Sequence, residues 1–190
     1  MQQTQRQPNI LLITTDQHRW DYMGCAGADF INTPNLDRLA ARGVRFPHCY
    51  TNSPICVPAR IGLATGMQPA CIGSVDNAYY LPPQLTTYYH RLRDAGYRVA
   101  CSGKLDLAKP DGYNGRDGKR PRTFQWGFTD PLESEGKAHS LSRPAPRGPY
   151  GAWLEDQGLY DTYYEERKKT DARTSWFTPS ELPAKTFLDV

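Results

Sequence analysis

Two short apolar runs constrain this chain more than any other feature. The first, Asn9 to Thr15, reads Asn-Ile-Leu-Leu-Ile-Thr-Thr, and the second spans Tyr97 to Ser102. Each fits a strand, and a continuous apolar run ending in polar residues suits a strand buried on both faces of a parallel sheet. Segments with helical signals lie between them. Thr33 to Gly43 is a short amphipathic helix with Leu36, Leu39 and Ala40 on one side and Gly43 as its stop, and Val44 to Thr51 then reads as extended. Tyr88 to Ala95 has helical character closed by Gly96. These elements predict an α/β fold with a mostly parallel central sheet flanked by helices.

The carboxyl ends of such strands are where ligands bind in open α/β sheets. Asp16 and Gln17 follow the first run, and Gly103-Lys104-Leu105-Asp106 follows the second. A carboxylate beside an amide oxygen suits a hard divalent cation, although a single Asp after a strand also reads as a turn or N-cap residue. The ammonium of Lys104 suits a sulfate or phosphate oxygen, and most lysines in such loops are simply solvated.

Ser53 to Gly66 places Cys56 and Arg60 at the mouth of a predicted helix, with Pro58 in its first turn and Gly66 as its stop. Cys56 would lie just before the helix, where backbone N–H groups and the dipole favour an anion. The whole string Cys56-Val57-Pro58-Ala59-Arg60, followed by Gly62-Leu63-Ala64-Thr65-Gly66, resembles the signature of the type I sulfatases of the alkaline phosphatase superfamily. Asp16-Gln17, Thr33-Pro34-Asn35-Leu36-Asp37 and Gly103-Lys104 resemble further parts of that family. The resemblance is most complete over residues 9 to 107.

The resemblance implies an alkaline-phosphatase-like fold and a sulfatase hydrolysing a small-molecule or carbohydrate sulfate ester. It implies that Cys56 is converted to formylglycine by a formylglycine-generating enzyme, and that the hydrated aldehyde is the nucleophile. Arg60 would orient it, Lys104 would bind the sulfate, and Asp16, Gln17 and residue 56 would ligate a divalent metal, calcium first, with manganese or magnesium as alternatives. Asn77 and Asp106 are further candidates for substrate binding; Asn77 reads equally as an Asx-turn residue. The family carries Ser more often at position 59, and His where Asp106 stands, which hints at another substrate subfamily. A phosphonate monoester or phosphodiester hydrolase of the same superfamily is the near rival, and a non-catalytic truncated chain the distant one.

Composition narrows the remainder. At 190 residues with mean hydropathy −0.68, the chain is polar but long enough for one core. A net charge of +3 with scattered basic residues gives no reason to invoke nucleic acid. Five cysteines without Cys-x-x-Cys spacing point to neither a zinc site nor a disulfide framework. No segment is apolar and long enough to span a membrane, and the polar Met1 to Pro8 lacks the run of a secretory signal, so a cytoplasmic location is expected, or a periplasmic or secreted one if a leader has been removed. Residues 1–108 read as core strands and helices, 109–152 as a loop-rich insertion, and 153–190 as the start of a following segment with a helix near Thr162 to Lys169. The family's other metal ligands lie further downstream, so the chain is expected to be the N-terminal part of a sulfatase domain, unstable without the remainder; a homo-oligomer stays open.

Overall fold

A computed structural model describes residues 7–111, 115–135 and 145–169. The chain divides into two compact units, Met1–Tyr50 and Thr51–Val190, where the sequence predicts one core.

In the first unit the order is a 3-10 turn at Gly24–Ala26 followed by α1, Pro34–Arg42. Thr33 precedes α1 and Pro34 opens it, so the expected helix forms within one residue of its predicted bounds. Its packing differs from expectation, since Leu36 and Leu39 are exposed. The unit is organised on a carboxylate. Asp37 Oδ1 accepts from the Cys25 amide at 2.6 Å and from the Thr33 hydroxyl at 3.1 Å, and the Gly24 amide donates to Thr33 Oγ1 at 2.8 Å. Tyr22 and Phe30 add an edge-to-face pair at 4.9 Å.

The apolar run at 9–15 is corrected here. It forms no strand, and Leu11 is 84% exposed. A strand is held by hydrogen-bonded neighbours, and the first unit has no strand among its described residues to pair with it. The segment from Val44 to Tyr50 is likewise unpaired and exposed.

In the second unit the described elements are α2 (Cys56–Thr65), α3 (Tyr88–Asp94), β1 (Ala100–Gly103), α4 (Pro121–Gln125), β2 (Asp130–Glu133), α5 (Pro149–Asp156) and α6 (Tyr160–Lys169), with 3-10 turns at Pro69–Ile72 and Lys109–Asp111. β1 and β2 pair in parallel, Ala100 opposite Asp130 and Gly103 opposite Glu133. Parallel strands need a crossover, and residues 104–129, with α4 in their course, provide it. The predicted second strand therefore forms, shifted toward its carboxyl end.

Val57, Ile61 and Ala64 of α2 pack with Leu81, Val99, Leu107, Ala108, Trp126 and Phe128 into one buried core. Trp126 is fully buried and its indole N–H donates to the Leu81 carbonyl at 3.2 Å. The buried Thr87 hydroxyl donates to the Trp126 carbonyl at 2.6 Å and caps α3 reciprocally with His90. Gly127, at φ 102°, lets this turn lie against Tyr89 and His90; a Cβ there would stand 2.7 Å from the Tyr89 carbonyl carbon and closer still to the His90 amide.

Residues 109–152 thus do more than cover an edge. Composition suggests an insertion because Gly, Pro and charges dominate it, yet Trp126 and Phe128 enter the core and β2 pairs with β1. α5 is unpredicted, although Gly148-Pro149 is a helix-start signal, with Pro149 at the first turn. Leu154, Tyr160 and Tyr163 join α5 to α6 in a second small cluster. α6 begins two residues earlier than the sequence suggests. The reading of Thr186 to Val190 as the start of another helix falls outside the described residues. Among those residues no helix is long and apolar enough to cross a membrane, and all five cysteines are free thiols.

Candidate active site

The site is assembled in the second unit, where α2 meets the chain leaving β1. Cys56 is the first residue of α2, one step inside the helix rather than before it. Its N-cap, Ile55, has no side-chain oxygen, so the helix start borrows acceptors. The Ile55 amide donates to Ser53 Oγ at 3.2 Å and the Val57 amide to Asn77 Oδ1 at 3.1 Å. Pro58 has no N–H. These contacts use most of the donors that a bare helix start would offer an anion, so anion recognition here falls mainly to side-chain cations.

Asn77 reaches the site, and the neighbouring turn belongs to Asp76, whose Oδ1 accepts from the Ala78 amide at 2.8 Å. Asn77 Oδ1 also lies 3.5 Å from Cys56 Sγ, so one amide oxygen fixes both the helix start and the thiol. Cys56 is half-buried. At Cys101, on β1, burial pushes the thiol up to about 11, and its chemistry is that of a packed side chain.

Arg60 stands one turn along α2 from Cys56 and donates from Nη1 to the backbone carbonyl of Lys104. That bond ties the nucleophile's helix to the carboxyl end of β1. Lys104 Nζ then lies 3.1 Å from Asp106 Oδ2. Asp106 is 7% exposed and sits at φ 56°, in a left-handed conformation that Asp and Asn tolerate better than most residues. Its carboxylate is turned onto lysines, a poor arrangement for meeting an anionic substrate.

Lys109 is the residue that the sequence reading passes over. Its Nζ donates to Cys56 Sγ at 3.5 Å and lies 3.5 Å from Asp106 Oδ2. Leu107, two residues earlier, pins the loop that carries it, its carbonyl accepting from the Leu81 amide and its side chain buried. Behind this loop, Arg120 donates to the Ala108 carbonyl at 3.0 Å, and its Nε lies 3.2 Å from Glu133 Oε2. Burial pushes Glu133 up to about 7 against the opposing pull of Arg120, while the Asp106 carboxylate raises it further and the Asp106 amide favours its ionised form.

Asp16 and Gln17 belong to the first unit, both exposed, with Gln17 at φ 61°. Nearby, His18 Nε2 donates to the Tyr22 carbonyl at 2.9 Å and Arg19 pairs with Asp21 at 2.7 Å, so these two side chains serve the local turn. The donor types of Asp16 and Gln17 fit a hard cation, which takes carboxylate and amide oxygens, but a pair offers few of the six to eight oxygens that calcium takes. Among the described residues no group of three or more His, Cys, Asp or Glu side chains is gathered closely enough to hold a metal ion.

The second unit thus sets a cysteine at a helix start with basic side chains around it. The sulfatase family's sequence model matches residues 8–176, and the chain belongs to the sulfatase family. It is 39% identical over 128 residues to a choline-sulfatase of Rhizobium meliloti strain 1021, a match covering 65% of this chain and 25% of that protein. It is 36% identical over 110 residues to an N-acetylglucosamine-6-O-sulfatase of Bacteroides thetaiotaomicron, covering 57% of this chain and 20% of that one. Among solved structures, the phosphonate monoester hydrolase of Agrobacterium radiobacter superposes with a TM-score of 0.60 at 27% identity, over 82% of this chain and 30% of that chain. The chain therefore spans about a quarter of the length of the curated relatives it matches. The expected alkaline-phosphatase-like fold is borne out, with a two-stranded parallel sheet among the described residues.

Proposed function

We propose that the protein hydrolyses a sulfate ester, with residue 56 as the nucleophile after conversion of its thiol to formylglycine. The observation that carries this reading is the convergence of Asn77, Lys109 and the Arg60–Lys104 link on the cysteine of the sulfatase signature. When formed, the hydrated aldehyde supplies one hydroxyl for attack and a second through which sulfate is expelled, which a plain thiol lacks. The sulfatase family implies a divalent cation, calcium being the first candidate, for which Asp16 and Gln17 offer suitable oxygen donors.

The chain's own residues divide the remaining work. Asn77 holds residue 56 in register with the helix start through its single amide oxygen. Arg60 fixes the main chain at 104, so that the Lys104 ammonium stands where negative charge grows on the sulfate. Asp106 acts on Lys104 rather than on the substrate. The relatives named above are sulfatases of a small alcohol and of a sugar, so the substrate class proposed is a sulfate ester of either kind.

The likeness to a phosphonate monoester hydrolase supports a second reading, with a phosphonate monoester as substrate. The test compares the full-length protein, produced together with a formylglycine-generating enzyme, on an aryl sulfate and an aryl phosphonate monoester. Faster sulfate turnover is expected, and dominant phosphonate turnover would overturn the first reading. Mass spectrometry of the peptide bearing residue 56 checks the modification, since an intact thiol in active protein is incompatible with this mechanism.

A further inference from the structure

We infer that Lys109 is a second anion-binding residue of this site, set beside residue 56 by Asp106, and that it contacts the sulfate group of the substrate. The inference rests on the sulfate-ester reading and adds a residue that the signature does not include.

Three features carry it. Lys109 Nζ reaches Cys56 Sγ at 3.5 Å from 53 positions along the chain, from the first residue of the turn Lys109–Asp111. Asp106 Oδ2 serves two ammonium groups at once, Lys104 at 3.1 Å and Lys109 at 3.5 Å. Neither lysine is fully solvated, their side chains being 27% and 21% exposed. Two ammonium groups thus face one carboxylate oxygen. Like charges held this close in a partly buried setting repel, and one lysine would suffice to neutralise Asp106. An anion arriving beside Cys56 meets the Lys109 ammonium, and a sulfate monoester brings one negative charge and oxygen acceptors for it and for Lys104.

The chemistry at position 106 supports the same assignment. The sulfatase pattern has a histidine there, a side chain able to donate a hydrogen bond; this chain has a carboxylate, which accepts. Lys109 restores the missing donor from the next turn. Asp106 is then a positioning residue, and its left-handed backbone is stored conformational cost of the kind that accompanies such roles.

The test begins with the full-length unsubstituted protein and acetic anhydride as an amine probe, read by mass spectrometry with and without saturating inorganic sulfate. Sulfate is expected to slow acetylation of Lys104 and Lys109 and to leave Lys119, whose side chain is 68% exposed, unchanged. Protection of Lys104 without Lys109 would overturn this inference and spare the sulfate-ester reading; protection of neither would sink both. Calorimetry with sulfate adds the variants. Lys109→Gln should weaken binding roughly tenfold and Lys109→Arg should recover most of it. Asp106→Asn, an amide that tolerates the same backbone, should also weaken binding although it adds net positive charge. Tighter binding by Asp106→Asn would show that Asp106 merely neutralises the site, against its positioning role.

Discussion

The two units answer the same demand, to organise about one carboxylate, in opposite ways. In the first, Asp37 gathers a backbone amide and a hydroxyl, and apolar side chains of its helix stay exposed. In the second, Asp106 gathers two lysines above a core that buries Trp126, Ile61 and Leu107. The first arrangement satisfies donors locally. The second holds charged groups in a strained and half-buried place, and only a packed core can pay for that. Reactive chemistry therefore sits on the unit whose core overdetermines it, while the expected metal ligands Asp16 and Gln17 sit on the one that lacks such support.

Several measurements press on this contrast. Replacing Cys56 by Ala in the full-length protein should lower kcat by about 10^5-fold, the scale seen for loss of a nucleophile, with little change in melting temperature. A loss of less than tenfold would remove residue 56 from the chemistry. Trp126→Ala should cost the second unit about 3 to 5 kcal/mol in urea unfolding, as expected for a large buried aromatic. A cost under 1 kcal/mol would mean that the core does not carry the site.

Acidity gives the next effect. Glu133 is raised from its usual 4.5 to about 7 in the fold, so the folded state holds this proton more tightly than the unfolded chain. The resulting stability is fully present below about pH 4.5 and is lost as pH rises through about 7, by at most roughly 3 kcal/mol. Urea midpoints at pH 5 and pH 7.5 read this slope, and Glu133→Gln should flatten it. The smallest effect belongs to the first unit. Leu11→Ser in the 190-residue chain should change stability by about 0.5 kcal/mol or less, because the side chain is already in water. Amides of residues 10–13 should exchange quickly while those of Cys101 and Ser102 are protected.

How much of this was legible in sequence depended on how local the cause was. α1 and α3 follow from Pro34, Thr87 and the stops at Gly43 and Gly96, all within a turn of the residues they control. The helix start at Cys56 was legible to within one residue for the same reason. The run at 9–15 was misread because its periodicity describes a strand that has neighbours, and pairing is a property of distant residues. β2 was hidden for the complementary reason, since Asp130-Pro131-Leu132-Glu133 lacks an apolar run and becomes a strand by pairing with β1. Motif matching placed Arg60 and Lys104 but passed over Lys109, whose relevance lies in a distance to Cys56 that no spacing rule encodes.

The hydrogen bond from Arg60 has a further bearing on how such a site can diverge. Arg60 grips the carbonyl of residue 104, so the anchor is indifferent to which side chain that residue carries. Substitution at 104, 106 or 109 can therefore change the charge and the donors that the site presents without loosening the joint between helix and sheet. A lineage that keeps the arginine holds the geometry constant while it explores new esters.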